Sequence, residues 1–138
     1  LMPSTARSVS RRNGLKYSKN RLLDPEYNIK LGSHYLQILL KRYKGNRVLA
    51  TAAYNAGPGN VRRWLKRFEG PLDIWIERIP FNETRRYVQR VLTYSTIYSY
   101  RLGELEPIID NATLTAWLDR SPNNLRISRV INRQVNKG

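Results

Sequence analysis

Three features of this 138-residue sequence predict an all-α fold. Apolar residues recur at helical spacings through most of the first hundred positions, with only a weak case for a strand anywhere. Start and stop signals bracket those runs: Asp24-Pro25-Glu26 at one beginning, and Gly45-Asn46, Gly57-Pro58 and Gly103 at ends. A content of 41% hydrophobic residues with three Trp supplies enough material for a core and excludes global disorder. The length suits a single compact domain.

The elements follow in order. Residues 4–12 read as a short basic helix stopped by Asn13-Gly14. At Asp24-Pro25-Glu26 an acid at the N-cap, a proline at the first helical position and an acid in the first turn open a helix that runs to about Tyr43. Its buried stripe is predicted to be Ile29, Leu36, Leu39, Leu40 and Tyr43. Gly45-Asn46 breaks it. The next helix, Arg47–Ala56, carries Ala50, Ala52, Ala53 and Ala56, small enough for neighbours to approach closely. Gly57 supplies a left-handed C-terminal cap, and Pro58 forbids continuation. A fourth helix covers about 60–68, closed by Gly70-Pro71, and 68–80 reads as irregular. Asn82 is predicted to cap the longest helix, about 83–102, with Val88, Val91, Leu92, Ser95, Tyr98 and Leu102 facing inward and Gly103 as terminator. One more short helix is expected over 113–119, then a flexible basic tail over 123–138 that contains no acid.

Composition excludes several function classes. The net charge is +15, from 25 Lys+Arg and 10 Asp+Glu. Cysteine is absent, which removes disulfides, thiolate metal sites and cysteine nucleophiles. His34 is the one histidine, so no multi-His metal site can form; its place beside an apolar stripe predicts a structural role. The longest apolar run, 48–54, includes Thr51 and falls far short of the ~20 residues of a membrane span. The opening Leu1-Met2-Pro3-Ser4-Thr5 has no charged or long apolar region of a signal peptide, and the chain is expected to be a piece of a longer one.

Two stretches carry chemistry. Residues 52–59, Ala-Ala-Tyr-Asn-Ala-Gly-Pro-Gly, read either as a tightly packed helix end with its cap or as a polar groove wall. In the second reading Tyr54 and Asn55 offer donors and acceptors suited to sugar hydroxyls and amides. Residues 79–88 include Glu83 at a helix start with Arg86 one turn on. The bland reading is a favourable acid in a first turn. The functional one is an ionised acceptor for an N–H group, because the helix macrodipole favours the charged form. Neither makes Glu83 a proton donor. No carboxylate pair emerges: Glu69, Asp73 and Glu77 straddle Gly70-Pro71 in a predicted solvated loop, and Glu104, Glu106 and Asp110 lack an apolar pocket. Tyr87, Tyr94, Tyr98 and Tyr100 read mostly as core and rim, with some able to line a sugar cleft.

Four blocks in order resemble the catalytic domain of the soluble lytic murein transglycosylases, the goose-lysozyme-like Slt family. They are Leu1-Met2-Pro3-Ser4-Thr5-Ala6; Leu23-Asp24-Pro25 through Asn28-Ile29 and Leu31-Gly32; Ala53 to Gly59; and Ile79-Pro80-Phe81 through Glu83-Thr84-Arg85 and Tyr87-Val88. The resemblance implies a lysozyme-like helical domain over 1–103, truncated at its N-terminus and lacking its catalytic segment, with a C-terminal extension over 104–138. It implies cleavage of the β-1,4 bond between N-acetylmuramic acid and N-acetylglucosamine with formation of a 1,6-anhydro sugar. One glutamate serves as acid then base, and the substrate's acetamido group replaces a second carboxylate.

Carried over residue by residue, Met2 is similar to a cleft-lining methionine, and Tyr54 and Asn55 to the polar floor beside the reacting sugar. Glu83 is similar to the glutamate that holds the acetamido group, and Tyr87 to a cleft tyrosine. The family's catalytic glutamate, in a Glu-Ser pair followed by Gly-Leu-Met-Gln, precedes the Met-Pro block. No catalytic residue is therefore expected in this chain, which is predicted inactive alone. The implied partner is peptidoglycan, in the bacterial cell envelope, periplasmic or peripheral to the membrane, with no cofactor, no metal, no nucleic acid and a monomeric state. The competing readings are a non-catalytic peptidoglycan-binding module and a basic nucleic-acid-binding helical domain.

Overall fold

The computed structural model describes residues 2–104 and 107–120, and every regular element among them is helical. Seven α-helices follow one another: α1 Pro3–Arg12, α2 Pro25–Arg42, α3 Arg47–Ala56, α4 Pro58–Arg67, α5 Leu72–Glu77, α6 Asn82–Arg101 and α7 Asn111–Asp119, with a 3₁₀ turn at Asn20–Leu23. The predicted all-α class holds. The basic tail expected over 123–138 lies outside the described residues.

Helix α3 is the centre of the molecule, and its sequence explains why. Val48, Leu49, Ala50, Thr51, Ala52 and Ala53 are all buried, and three of these six are alanines, so α2, α4 and α6 pack against it from different sides. Asn46, itself buried, caps the helix by accepting a hydrogen bond from the Leu49 backbone N–H at 3.0 Å. At the other end Gly57 has φ +87° and ψ 147° and serves at once as C-cap of α3 and N-cap of α4. The positive φ expected there is present, although its extended ψ lies outside the left-handed helical region. A second, smaller apolar cluster of Ala6, Val9, Tyr27 and Leu31 joins α1 to α2, and Tyr35 touches both clusters.

Helix α7 returns to the same core. Trp117 is buried against Trp75, with ring centroids 5.7 Å apart, and donates its indole N–H to the Gly70 carbonyl at 2.9 Å. Arg47, at the start of α3, donates to Asp110 at 2.8 Å and to the hydroxyl of Ser95, so one side chain ties α3 to α6 and to the cap of α7.

Several predicted details are corrected. Residues 72–77 form α5 instead of an irregular stretch: Leu72, Trp75 and Ile76 face the core at helical spacing, in a run too short for the period to stand out. Asp73 and Glu77 therefore sit on one helix, solvated but not in a loop. On α2 the buried residues are Tyr27, Leu31, Gly32 and Leu39, whereas Ile29 is 69% exposed and Leu36 is exposed as well. On α6 burial stops at Leu92; Tyr98 is 65% and Leu102 77% exposed, and the inward position missing from the prediction is Thr84. Asn82 does not cap α6 but accepts from Arg85 at 2.5 Å, and Phe81 occupies the cap position.

Candidate functional site

The two exposed apolar residues of α2 border a groove of about 560 Å³ between α2, α3 and α6. Pro25, Ile29 and Leu36 with Val91 give it an apolar face, and Asn28, Ser33 and Thr51 with the hydroxyls of Tyr54 and Tyr87 give it polar points. Apolar patches between a few fixed donors and acceptors suit a pyranose ring, whose faces carry C–H groups and whose rim carries hydroxyls. No carboxylate is among the lining residues.

Tyr54 is positioned from both sides. Its ring lies against Tyr35 with centroids 5.6 Å apart and a 40° tilt. Its hydroxyl lies 2.7 Å from where a Cβ on Gly32 would be, so glycine at position 32 lets the phenol keep its present position and any side chain there must displace it. Burial first, then the neighbouring Tyr54, pushes the Tyr87 pKa up, so that hydroxyl keeps its proton and can both donate and accept. Burial likewise raises Tyr35, against the opposing charge of Arg42.

Asn55 faces solvent in the last turn of α3, and its Oδ1 accepts from the buried Thr84 hydroxyl at 2.7 Å. That bond ties Asn55 to the first turn of α6, and its amide NH₂ has no acceptor among the described residues. Glu83 precedes Thr84 in the same turn and is exposed, and among the described residues its carboxylate has neither a hydrogen bond nor an ion pair; Arg86 does not reach it. Its carboxylate is an unoccupied acceptor at a helix N-terminus. Met2 is 71% exposed at the N-cap of α1 and does not line the groove. Of the five expected site residues, then, Tyr54 and Tyr87 line the groove, Asn55 is bonded to Thr84, the chain neighbour of Glu83, and Met2 stands apart. The motifs themselves give Gly32 and Thr84 no role, and the structure gives them one each, as the gap that admits Tyr54 and as the partner of Asn55. Thr84 has a usable signal, since positions 84, 88 and 92 share one four-residue row, whereas Ile29 and Leu36 carry the spacing of a core stripe. Among the described residues no group of three His, Cys, Asp or Glu could hold a metal ion.

Residues 1–74 match the model of the transglycosylase SLT domain. The chain belongs to the SLT transglycosylase family. Residues 78–107 match a second model, the soluble lytic transglycosylase helical domain. The soluble lytic murein transglycosylase of Escherichia coli K12 is 43% identical over 117 residues, which are 82% of this chain and 18% of that protein. The structure of an inactive Glu→Gln mutant of the lytic transglycosylase Slt from Pseudomonas aeruginosa matches with TM-score 0.74 at 50% identity, covering 83% of this chain and 19% of that one. That of the 70 kDa soluble lytic transglycosylase from Escherichia coli matches with TM-score 0.76 at 40% identity over the same 83%, again 19% of its length. The SLT chain described here thus spans less than a fifth of each of these relatives. Its helical, lysozyme-like fold is theirs.

Proposed function

We propose that this SLT chain holds the glycan strand in a lytic transglycosylase that acts on murein. The observation that carries the reading is the groove, in which Tyr54 and Tyr87 flank an apolar floor with no carboxylate among its lining residues. Such a groove binds and orients sugars but has no group to protonate a leaving oxygen. The proton donor is then a glutamate outside the described residues, in keeping with the Glu→Gln change in the inactive relative. Cleavage of the bond between N-acetylmuramic acid and N-acetylglucosamine proceeds with acetamido assistance, which needs no second carboxylate. Tyr54 and Tyr87 contact the strand within the groove, and Met2, Asn55 and Glu83 meet it outside the groove, with Glu83 as acceptor for the acetamido N–H. The place of action is the bacterial envelope, periplasmic or at the membrane surface; no helix among the described residues is long and apolar enough to cross a membrane.

The test compares three proteins on purified sacculi: the 138-residue chain, the chain extended by the family's Glu-Ser and Gly-Leu-Met-Gln segment, and that extension with its glutamate changed to glutamine. All three bind the sacculi, and only the second releases anhydro-muropeptides. Release by the bare chain overturns the assignment of the acid. Binding without release by the extended protein favours the second reading, a glycan-binding module.

A further inference from the structure

A second concavity shares no lining residue with the groove of Tyr54 and Tyr87. It encloses about 760 Å³ beside the end of α2 and the start of α4, and Arg42, Arg62, Lys66 and Arg120 line it against one acid, Glu69. None of the four cations is ion-paired: the pairs among the described residues are Arg21 with Asp24 and Arg47 with Asp110. Like charges along a concave wall repel one another and focus positive potential into the space between them. Arg120 sharpens the case. Its guanidinium lies 4.2 Å from the centre of the Trp117 ring, and its Nε is buried with no hydrogen-bond partner among the described residues. A charged donor in that state is costly unless something accepts from it. Arg42 and Arg62 are both felt at the Tyr43 hydroxyl, where they oppose the upward push of burial on its pKa. The wall runs on past Arg42 and Pro58 into a shallower depression of about 330 Å³, which adds Arg12 and the hydroxyls of Ser4, Thr5 and Ser8, and again no acid.

We propose that these adjoining concavities form a second binding site, for a polymer that carries phosphate groups along its length. Five cations against one acid, spread over two linked depressions, suit a row of anions better than a single one. Guanidinium forks match the paired oxygens of phosphate, and the hydroxyls supply further donors. The concave shape fits a strand and not the flat surface of a bilayer. Nucleic acid is a poorer fit: the Trp117 ring carries Arg120, Tyr43 is half-buried against the core, and Tyr35, which lines the smaller depression, is half-buried with its ring against Tyr54, so none stands out as a platform for a base. The site is independent of the glycan groove, and the two assignments fail separately.

The test titrates the 138-residue chain with short-chain inorganic polyphosphate, inorganic phosphate, a single-stranded oligonucleotide of equal charge and anionic phospholipid vesicles. Three variants accompany it: Arg42→Gln/Arg62→Gln, Lys66→Gln, and the control Lys16→Gln/Lys19→Gln, which removes the same charge from exposed positions elsewhere. Polyphosphate binds saturably and more tightly than phosphate, oligonucleotide or vesicles. The arginine pair weakens it roughly tenfold or more, the expected loss of charge-assisted hydrogen bonds. Lys66→Gln weakens it less, the control pair leaves it nearly unchanged, and sacculus binding survives in every variant. All substituted side chains are exposed, and thermal melting confirms folding. Equal weakening by the arginine and control pairs reduces the site to generic surface charge and overturns it. Non-saturable binding, phosphate as tight as the polymer, or preference for oligonucleotide or vesicles does the same.

Discussion

At the scale of single residues, the groove of Tyr54 and Tyr87 depends on contacts that fix side chains before any ligand arrives. Gly32 is the sharpest case. An alanine there gains about 1 kcal/mol of helix propensity, yet its methyl must push the Tyr54 hydroxyl away from its present position. Gly32→Ala is therefore expected to melt no lower than the parent while binding murein strands several-fold more weakly. A lower melting temperature with unchanged binding would show that the phenol yields without consequence. Glu83 separates a clamp from a helix-start acid. In the extended, active protein, Glu83→Gln should lower catalytic efficiency roughly tenfold, since a charged hydrogen bond contributes ~1.5–3 kcal/mol against ~0.5–1.5 for a neutral one. Glu83→Ala should lower it further. If Glu83 only favours its helix start, melting drops and kinetics stay as they were. Tyr54 and Tyr87, the two expected residues that line the groove, stand out in the sequence because two dense motifs carry them. Ile29 and Leu36 misled for a physical reason: a helical stripe that lines a binding groove has the same period as one that faces a core. The role of Thr84 is not legible locally because its hydroxyl finds its partner, Asn55, across the fold and 29 residues away.

Among the elements, α3 organises the rest, and Arg47 is where α6 and α7 are fastened to it. Burial alone would push the Asp110 carboxyl up; the hydrogen bonds from Thr113 and Arg47 outweigh it and hold its pKa below the ordinary 3.8. A carboxylate with a depressed folded pKa contributes stability that is present above the unfolded value. That contribution is lost as pH falls through the lower folded one. Below about pH 4 the fastening should therefore loosen, first at α7. Asp110→Asn should lower the melting temperature at pH 7 and flatten its fall in acid, leaving the two proteins closer at pH 3 than at pH 7. Parallel melting curves across that range would remove Asp110 from the account. Helix boundaries set by proline, glycine and capping acids were readable within a residue or two, as for Arg47–Ala56 and for α2. The one helix missed, α5, is six residues long, and its order comes from tertiary burial of Trp75 instead of a local signal.

Over the whole molecule, the dominant quantity is +15 on 138 residues. With two ion pairs among the described residues, self-repulsion exceeds the attractions that salt could weaken. Moving from about 10 mM to 150 mM salt shortens the Debye length from about 30 to 8 Å, and the melting temperature should rise. A fall would mean that the Arg47 link outweighs the repulsion. Total charge was plain in the composition, but its sorting was not: Arg42, Arg62, Lys66 and Arg120 meet in one wall only because α2, α4 and the end of α7 converge. The placement of Arg120 over Trp117 also gives the molecule an optical asymmetry. None of its three tryptophans lines the groove of Tyr54 and Tyr87, so sugar binding there has no indole to perturb. An anion drawn to Arg120 alters the field on the Trp117 ring and, across 5.7 Å, on the emission it shares with Trp75. Intrinsic fluorescence is thus a reporter for one surface of this protein and blind to the other.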